Sequence, residues 1–384
     1  MSVTAPRGFV AAGATAGLKD SGRPDLALVV NQGPEFVGAG VFTGNRCKAH
    51  PVLWSERVCA DHRIKAVVLN SGGANCFAGP QGTAGVERTA EHLAAGLGCP
   101  VDEIAVCSTG LIGQTLDPDL VCSGLDRALA ALGPEGGPAA AEAIMTTDTH
   151  PKQAVRTSPE GWSIAGMAKG AGMIAPGLAT MLVVLTTDAQ LYATTCDKAL
   201  RAATALTFDR LDSDGCMSTN DTVLLLASGA CGVRPDPASF TDLLREVCHD
   251  LAMQMLGDAE GADHDIAIEV RGAAREEEAL TVARAVARSN LFKCAIFGED
   301  PNWGRILAAL GTTDAAFEPD RIDIAMNGHW ICRGGAPGEP RDLVDLSGRA
   351  VAITIDLHAG DATATLWTND LTHAYLHENS AYST

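Results

Sequence analysis

The chain reads as an α/β protein in which sheets pack against helices. Apolar runs of strand length interleave with amphipathic segments of helix length along its whole course. Hydrophobic residues make up 46% of the chain against 20% charged, the balance of a globular protein rather than a disordered one. No internal repeat or low-complexity linker interrupts the pattern. At 384 residues the chain exceeds the usual size of one core, so two lobes or one large layered domain both fit. Spacing alone leaves a doubly wound parallel arrangement open.

Residues 25–30, 36–42, 66–69 and 104–107 are apolar and short enough to be strands, and 82–97 and 118–132 read as amphipathic helices. The Gly/Pro/Ala segment 133–141 reads as a loop. Met181 to Leu185 is unbroken in its apolar character, the pattern of a strand buried on both faces, so a strand is predicted over 180–186. A helix around 195–208 and a strand over 222–227 follow. The helix over 240–256 is supported by Leu243, Leu244, Val247, Leu251 and Met255 recurring on one face. Strands are predicted over 264–270, 321–326, 351–357 and 361–367, with a helix over 276–288. Aromatic residues are only 4% while the chain holds 41 glycines and many alanines, so close backbone packing should dominate the core.

A formal net charge of −19 argues against nucleic acid or an anionic membrane as partner, because counterion release needs clustered Lys and Arg. The same charge weakly favours small cationic substrates and serves solubility. The 12 cysteines are irregularly spaced, without a C-x-x-C pair or a zinc-type His cluster, and Cys107, Cys231 and Cys294 sit in apolar runs as small hydrophobes. The N-terminal MSVTAPRGF does not read as a signal peptide, and the apolar runs are too short to span a bilayer. A reduced, cytoplasmic protein is the expectation. No G-x-G-x-x-G in its proper context and no phosphate loop is present, so neither NAD nor ATP is implied.

The chemistry concentrates at 169–187, KGAGMIAPGLATMLVVLTT. Gly170, Gly172, Pro176 and Gly177 turn the backbone into Ala179, and Thr180 opens the apolar strand. If the Ala179–Thr180 bond were cut, Thr180 would carry a hydroxyl nucleophile and a free α-amine of pKa about 7.7–8.0, so that one residue serves as nucleophile and base. Glycine and proline before a strand more often mark a plain loop. Ser108-Thr109-Gly110 ends the strand over 104–107, where a hydroxyl and a backbone N–H are suited to holding an oxyanion, although such a triplet is commonly only a turn.

KGAGMIAPGLATML with the following TTDA, together with NSGGAN (70–75), CSTGLIG (107–113), MTTDT (145–149), STNDT (218–222), DAEGA (258–262), DPNWGR (300–305) and ENSAYST at the end, resembles the arginine-biosynthesis ornithine acetyltransferase family over nearly the whole chain. The resemblance implies a layered α/β sandwich of the self-processing, N-terminal-nucleophile-like type. It implies cleavage at Ala179-Thr180 into an α chain, 1–179, and a β chain, 180–384, assembling as an (αβ)2 heterotetramer. It assigns Thr109 and Gly110 to the oxyanion hole, and Thr147, Lys169, Thr180, Glu260, Asn379 and Thr384 to the substrate pocket. The implied substrates are N2-acetyl-L-ornithine and L-glutamate, with no cofactor or metal, and with acetyl-CoA left open as a second acetyl donor.

Read from the residues alone, Lys169 would be a solvated lysine before a loop, and DPNWGR a Pro-Asn turn with a buried Trp303 and a paired Arg305. Members of the family it resembles often carry a lysine shortly after EGA, whereas here Asp263-His264-Asp265 follows Gly261-Ala262, so the local charge is inverted or reduced. The alternative function is a self-cleaving amidohydrolase or aminopeptidase passing its acyl group to water, and a non-enzymatic interaction protein is a third.

Overall fold

The computed structural model describes residues 2–173 and 181–381. The chain forms two compact units, one from residues 2–209 and 217–258 and the other from 210–216 and 259–381, within those described. Thr180, Ala179 and Thr384 lie outside the described residues.

The first unit holds two sheets. β1 (Phe9–Ala14), β2 (Leu26–Asn31), β4 (Ala66–Asn70) and β5 (Ile104–Ser108) form one, in that order, and β3 (Val37–Phe42), β9 (Thr222–Ala227), β8 (Leu182–Thr187), β7 (Ser163–Lys169) and β6 (Lys152–Thr157) form the other. β4 and β5 are parallel, as are β8 and β9; the remaining pairings in these sheets are antiparallel, so the fold is not a doubly wound parallel sheet. The continuous apolar runs have a simple cause. In β2, β4 and β5, Ala27, Val29, Val67, Leu69, Ala105 and Cys107 face one core, shared with Met167, Leu182, Val184, Leu224 and Leu226 of the second sheet. Their alternating neighbours Leu26, Leu28, Ala66, Val68, Ile104 and Val106 face a second core. α2 (Gly79–Leu97) and α3 (Pro118–Ala130) complete that second core through Val86, Leu93, Val121 and Leu125. Both faces of the strands are thus dry, and period-two alternation vanishes from the sequence.

Four more helices belong to this unit: α1 (His50–Val58), α4 (Gly137–Ala143), α5 (Ala193–Ala205) and α6 (Pro237–Gly257). α4 corrects the loop predicted over 133–141. Pro138 occupies its first turn, where a missing N–H costs nothing, and Ala140, Ala141 and Ala143 are buried. α6 is capped by Asp236, whose carboxylate accepts the Ala238 and Ser239 N–H groups, and buries Leu244, Val247, Leu251 and Met255.

The second unit is a six-stranded sheet in the order β13 (Ala336–Pro337), β12 (His329–Arg333), β11 (Asp323–Met326), β14 (Ala350–Asp356), β10 (Asp265–Ala273) and β15 (Ala362–Asn369). Only β10 and β14 run parallel. Ile266, Ile268, Val270, Ile353 and Ile355 form its core with Val282 and Val286 of α7 (Glu276–Ala287), Phe292 and Ile296 of α8 (Asn290–Phe297) and Ile306 of α9 (Trp303–Leu310). α10 (His373–Ala381) has no buried residue. The DPNWGR block opens α9: Asn302 caps it, Trp303 packs partly buried against the core, and Arg305 donates to the Leu291 carbonyl at 2.6 Å. Cys107 is buried and Cys231 half-buried as expected, but Cys294 is exposed, because it falls on the outer face of α8.

Candidate active site

Several of the sequence blocks meet at the C-terminal ends of β4 and β5. The parallel register sets Asn70 beside Ser108. The Thr109 N–H donates to the Asn70 carbonyl at 3.0 Å, the Gly73 N–H to the Thr109 carbonyl at 3.0 Å, and the Ser108 hydroxyl to Asn70 Oδ1 at 2.5 Å. Asn220 binds both turns at once, its Nδ2 donating to the Ala74 carbonyl at 2.6 Å and the Ser108 carbonyl at 2.8 Å. NSGGAN and STNDT therefore brace the Ser108-Thr109-Gly110 turn. Gly110 has φ +132°, and a Cβ there would stand 2.7 Å from the Gly73 nitrogen, so only glycine fits. Its N–H has no acceptor among the described residues. A buried Thr109 hydroxyl and an uncommitted Gly110 N–H on a braced turn are preorganised donors of the kind an oxyanion requires.

Lys169 is not solvated. It ends β7 at 2% exposure, and its Nζ lies 3.5 Å from Thr109 Oγ1. In the antiparallel pairing of β7 with β8, Lys169 stands opposite Leu182, so it lies at the end of the sheet where β8 begins. Asp148 lies behind Lys169 and accepts the Gly170 N–H at 2.7 Å and Lys152 Nζ at 2.7 Å. Lys152 also reaches Asp258 Oδ2 at 2.5 Å, and all three side chains are buried. Burial by itself would raise the Asp148 carboxyl, but Lys169 and then Lys152 override it and hold the group at about 2. Lys19, whose amine donates to the Met145 carbonyl at 2.7 Å, has its pKa lowered by burial, with Asp25 opposing that fall. Thr147 is half-buried in the bend beside Asp148.

The charged trio yields a stability prediction. Lys152→Met removes the cation that two buried carboxylates share, leaving Asp148 with Lys169 alone, and should cost about 3–5 kcal/mol, measured as a shift in urea midpoint. In the wild type, the Asp148 pKa of about 2 lies below its ordinary 3.8. The unfolded chain therefore binds the proton first. The stabilisation is present above the unfolded value and is lost as pH falls toward the folded one, about 2 kcal/mol in all.

In the second unit, Asn379 Nδ2 donates to Glu260 Oε2 at 3.2 Å. Glu260 lines a cavity of about 170 Å³ with Asp214, Arg288, Lys293, Asp370 and Tyr375. Lys293 is buried, and its amine donates to the Ser213 carbonyl. Burial lowers its pKa, while Asp214, Asp212 and Asp370 oppose that fall.

The chain matches the ArgJ family model over residues 10–384. The chain belongs to the ArgJ family. It is 61% identical over 383 residues to the arginine biosynthesis bifunctional protein ArgJ of Streptomyces coelicolor, covering all of both chains. It is 54% identical to the protein of that name from Mycobacterium leprae, over 99% of this chain and 95% of that one. Among solved structures, an ornithine acetyltransferase from Mycobacterium tuberculosis complexed with ornithine is 48% identical, with a TM-score of 0.45, over 47% of this chain and 96% of that one. Membership of the ArgJ family makes the protein an acyltransferase of arginine biosynthesis, with the α/β fold expected of it. No helix among the described residues is long and apolar enough to cross a membrane.

Of the residues that the ArgJ resemblance singles out, the structure brings Thr109, Gly110 and Lys169 together in the first unit, with Thr147 beside Asp148, and Glu260 with Asn379 in the second. The charge change after EGA has a local compensation. His264 is buried, its Nδ1 2.7 Å from Asp370 Oδ2 and its Nε2 3.0 Å from the Leu346 carbonyl. Two acceptors require two N–H donors, the pattern of an imidazolium. Burial opposes that charge, but the Asp370 and Leu346 hydrogen bonds prevail and raise the His264 pKa.

Sequence reasoning missed Asp148, Lys152, Asp258, Asn70, Asn220 and Asp221. Five of them sit inside or begin the quoted ArgJ blocks, in MTTDT, DAEGA, NSGGAN and STNDT. The available signal was a polar residue flanking an apolar run in each block. Nothing in the spacing said which polar residue of a block faces inward.

Proposed function

We propose that this ArgJ chain moves the acetyl group of N2-acetyl-L-ornithine to L-glutamate through an acetyl-threonine at Thr180, after cutting itself at Ala179-Thr180. The observation that carries the reading is the Thr109–Gly110 turn. It holds two donors, the Thr109 hydroxyl and the Gly110 N–H, that have no acceptor among the described residues, beside Lys169 at the end of β7 that pairs with the start of β8. In this mechanism Thr180 Oγ attacks the acetyl carbonyl, the Thr109 hydroxyl and Gly110 N–H take the oxyanion, and the Thr180 α-amine carries the proton. Ornithine leaves, glutamate attacks the ester, and the threonine is regenerated. By the family resemblance, Lys169 would offer a cation to an amino-acid carboxylate and Glu260, which accepts from Asn379, a carboxylate to an amine, with Thr147 and Thr384 as further substrate contacts.

The relatives' names carry the word bifunctional, which supports a second activity. We assign to it acetylation of glutamate by acetyl-CoA, without any cofactor held in the protein. The fragments 1–179 and 180–384 would assemble as an (αβ)2 heterotetramer in the cytoplasm.

Initial rates against acetylornithine at several fixed glutamate concentrations should give parallel lines, because ornithine leaves before glutamate enters. Rapid quenching should trap labelled acetyl on the 180–384 fragment. Intersecting lines without covalent label would replace this mechanism by direct transfer, and acetate release unaffected by glutamate would make the protein an amidohydrolase.

A further inference from the structure

Lys169 and Asp148 are buried beside the oxyanion turn, within the first unit. An ammonium has three N–H donors and no acceptor, so across the 3.5 Å between Lys169 Nζ and Thr109 Oγ1 only the lone pairs of the hydroxyl can face the lysine. The Thr109 proton is thereby turned away from Lys169. The positive charge also polarises the O–H bond and makes it a stronger donor. At the long end of the hydrogen-bond range such a contact works mainly through charge, so the lysine has to be kept charged and kept in place.

Asp148 meets both needs. A cation out of water requires an opposite charge close by. Lys152 already has a carboxylate partner in Asp258, and two buried carboxylates on one cation would leave a net negative charge; Lys169 makes the cluster of Lys152, Lys169, Asp148 and Asp258 neutral. Burial opposes ionisation of Asp148, and Lys169 is the foremost of the influences that overcome it. The carboxylate is also fixed in space. Its Oδ1 accepts the Gly170 N–H and Lys152 Nζ, each at 2.7 Å, and its Oδ2 accepts the Thr146 N–H at 2.9 Å. Gly170 directly follows Lys169, so the group that supplies the countercharge also pins the backbone at the end of β7.

We infer that Asp148 and Lys169 form a positioning pair for the oxyanion hole: Asp148 holds Lys169, and Lys169 aims the Thr109 hydroxyl at the charge that develops in the transition state. This role rests on the reading of Thr109 as an oxyanion donor. It is separable from recognition of a substrate carboxylate. Such a contact is made in ground state and transition state alike and shows in KM, whereas aiming the hydroxyl matters only as the oxyanion forms and shows in kcat.

The test is a double-mutant cycle on the full-length enzyme, with rates counted per processed chain. Lys169→Met should lower kcat by about tenfold or more when Thr109 is present and by less than about twofold in Thr109→Ala, which has no hydroxyl to aim. Thr109→Ser keeps a hydroxyl and should remain as sensitive as the wild type. Asp148→Asn keeps an oxygen for the Gly170 N–H but removes the charge, and should show the same pattern at smaller amplitude. Lys169→Arg keeps a cation and should retain more kcat than Lys169→Met. Losses by the same factor with and without the Thr109 hydroxyl would overturn the inference, and so would a higher KM at unchanged kcat in Lys169→Met, which would leave Lys169 as a substrate contact alone. If Lys169→Met does not fold, the Asp148→Asn cycle decides by the same comparison. A wild-type kcat in Thr109→Ala would mean that the oxyanion reading has failed and the positioning role with it. A fall in Thr109→Ala alongside two additive cycles would mean that only the positioning role has failed.

Discussion

Thr180→Ala should leave a single uncut chain of 384 residues, where the wild type should resolve into 1–179 and 180–384, the latter beginning TMLVVL. The same substitution should lower acetyl transfer by at least about 10⁴-fold, since loss of a nucleophile disables the other members of its catalytic unit as well. Both effects have one origin. In the proposed mechanism the hydroxyl attacks the Ala179 carbonyl once in the life of the chain and the acetyl carbonyl in every turnover. Denaturing electrophoresis with N-terminal sequencing measures the first, and ornithine release the second. Efficient cleavage of the alanine variant at the same bond would show that processing is not the work of Thr180, and retained turnover would remove it from the reaction.

Thr109→Ala should lower kcat by about 10²–10³ with little change in KM. The split follows from timing, because the hydroxyl meets negative charge that develops only in the transition state. The turn itself should survive the change. Its backbone is held by the Asn70 and Gly73 hydrogen bonds and by Asn220, none of which uses the Thr109 side chain. A folded variant with a wild-type kcat would return Thr109 to the role of a turn residue, and a rise in KM alone would make it a ground-state contact through Lys169.

Much of the architecture was legible. The strands β2, β4, β5, β8 and β9 announce themselves because burial on both faces selects apolar residues without interruption, and α6 because only one stripe of it is buried. Elements held by less apolar residues were not legible. β7 begins with Ser163 and ends with Lys169, β6 runs from Lys152 to Thr157 with polar residues between, and the short alanine-rich α4 looks like a loop because glycine and proline surround it. Local composition carries no record of the neighbour that makes such a segment regular.

The candidate site divides in the same way. Sequence by itself determined the reaction class, through the order of the ArgJ blocks, and nominated Thr180, Thr109, Gly110, Lys169 and Glu260, because block order is a property of a linear chain. Only the tertiary structure decided that Lys169 is buried beside Thr109 rather than solvated, that Asp148 and Asp258 share the Lys152 cation, and that Asp221 holds the Met181 N–H. Asp221 and Met181 are 40 residues apart in the chain, and Lys169 and Thr109 are 60. The free energy of a buried charge depends on which opposite charge or dipole lies within a few ångströms, and that distance is set by sheet register and by packing between layers rather than by position along the chain.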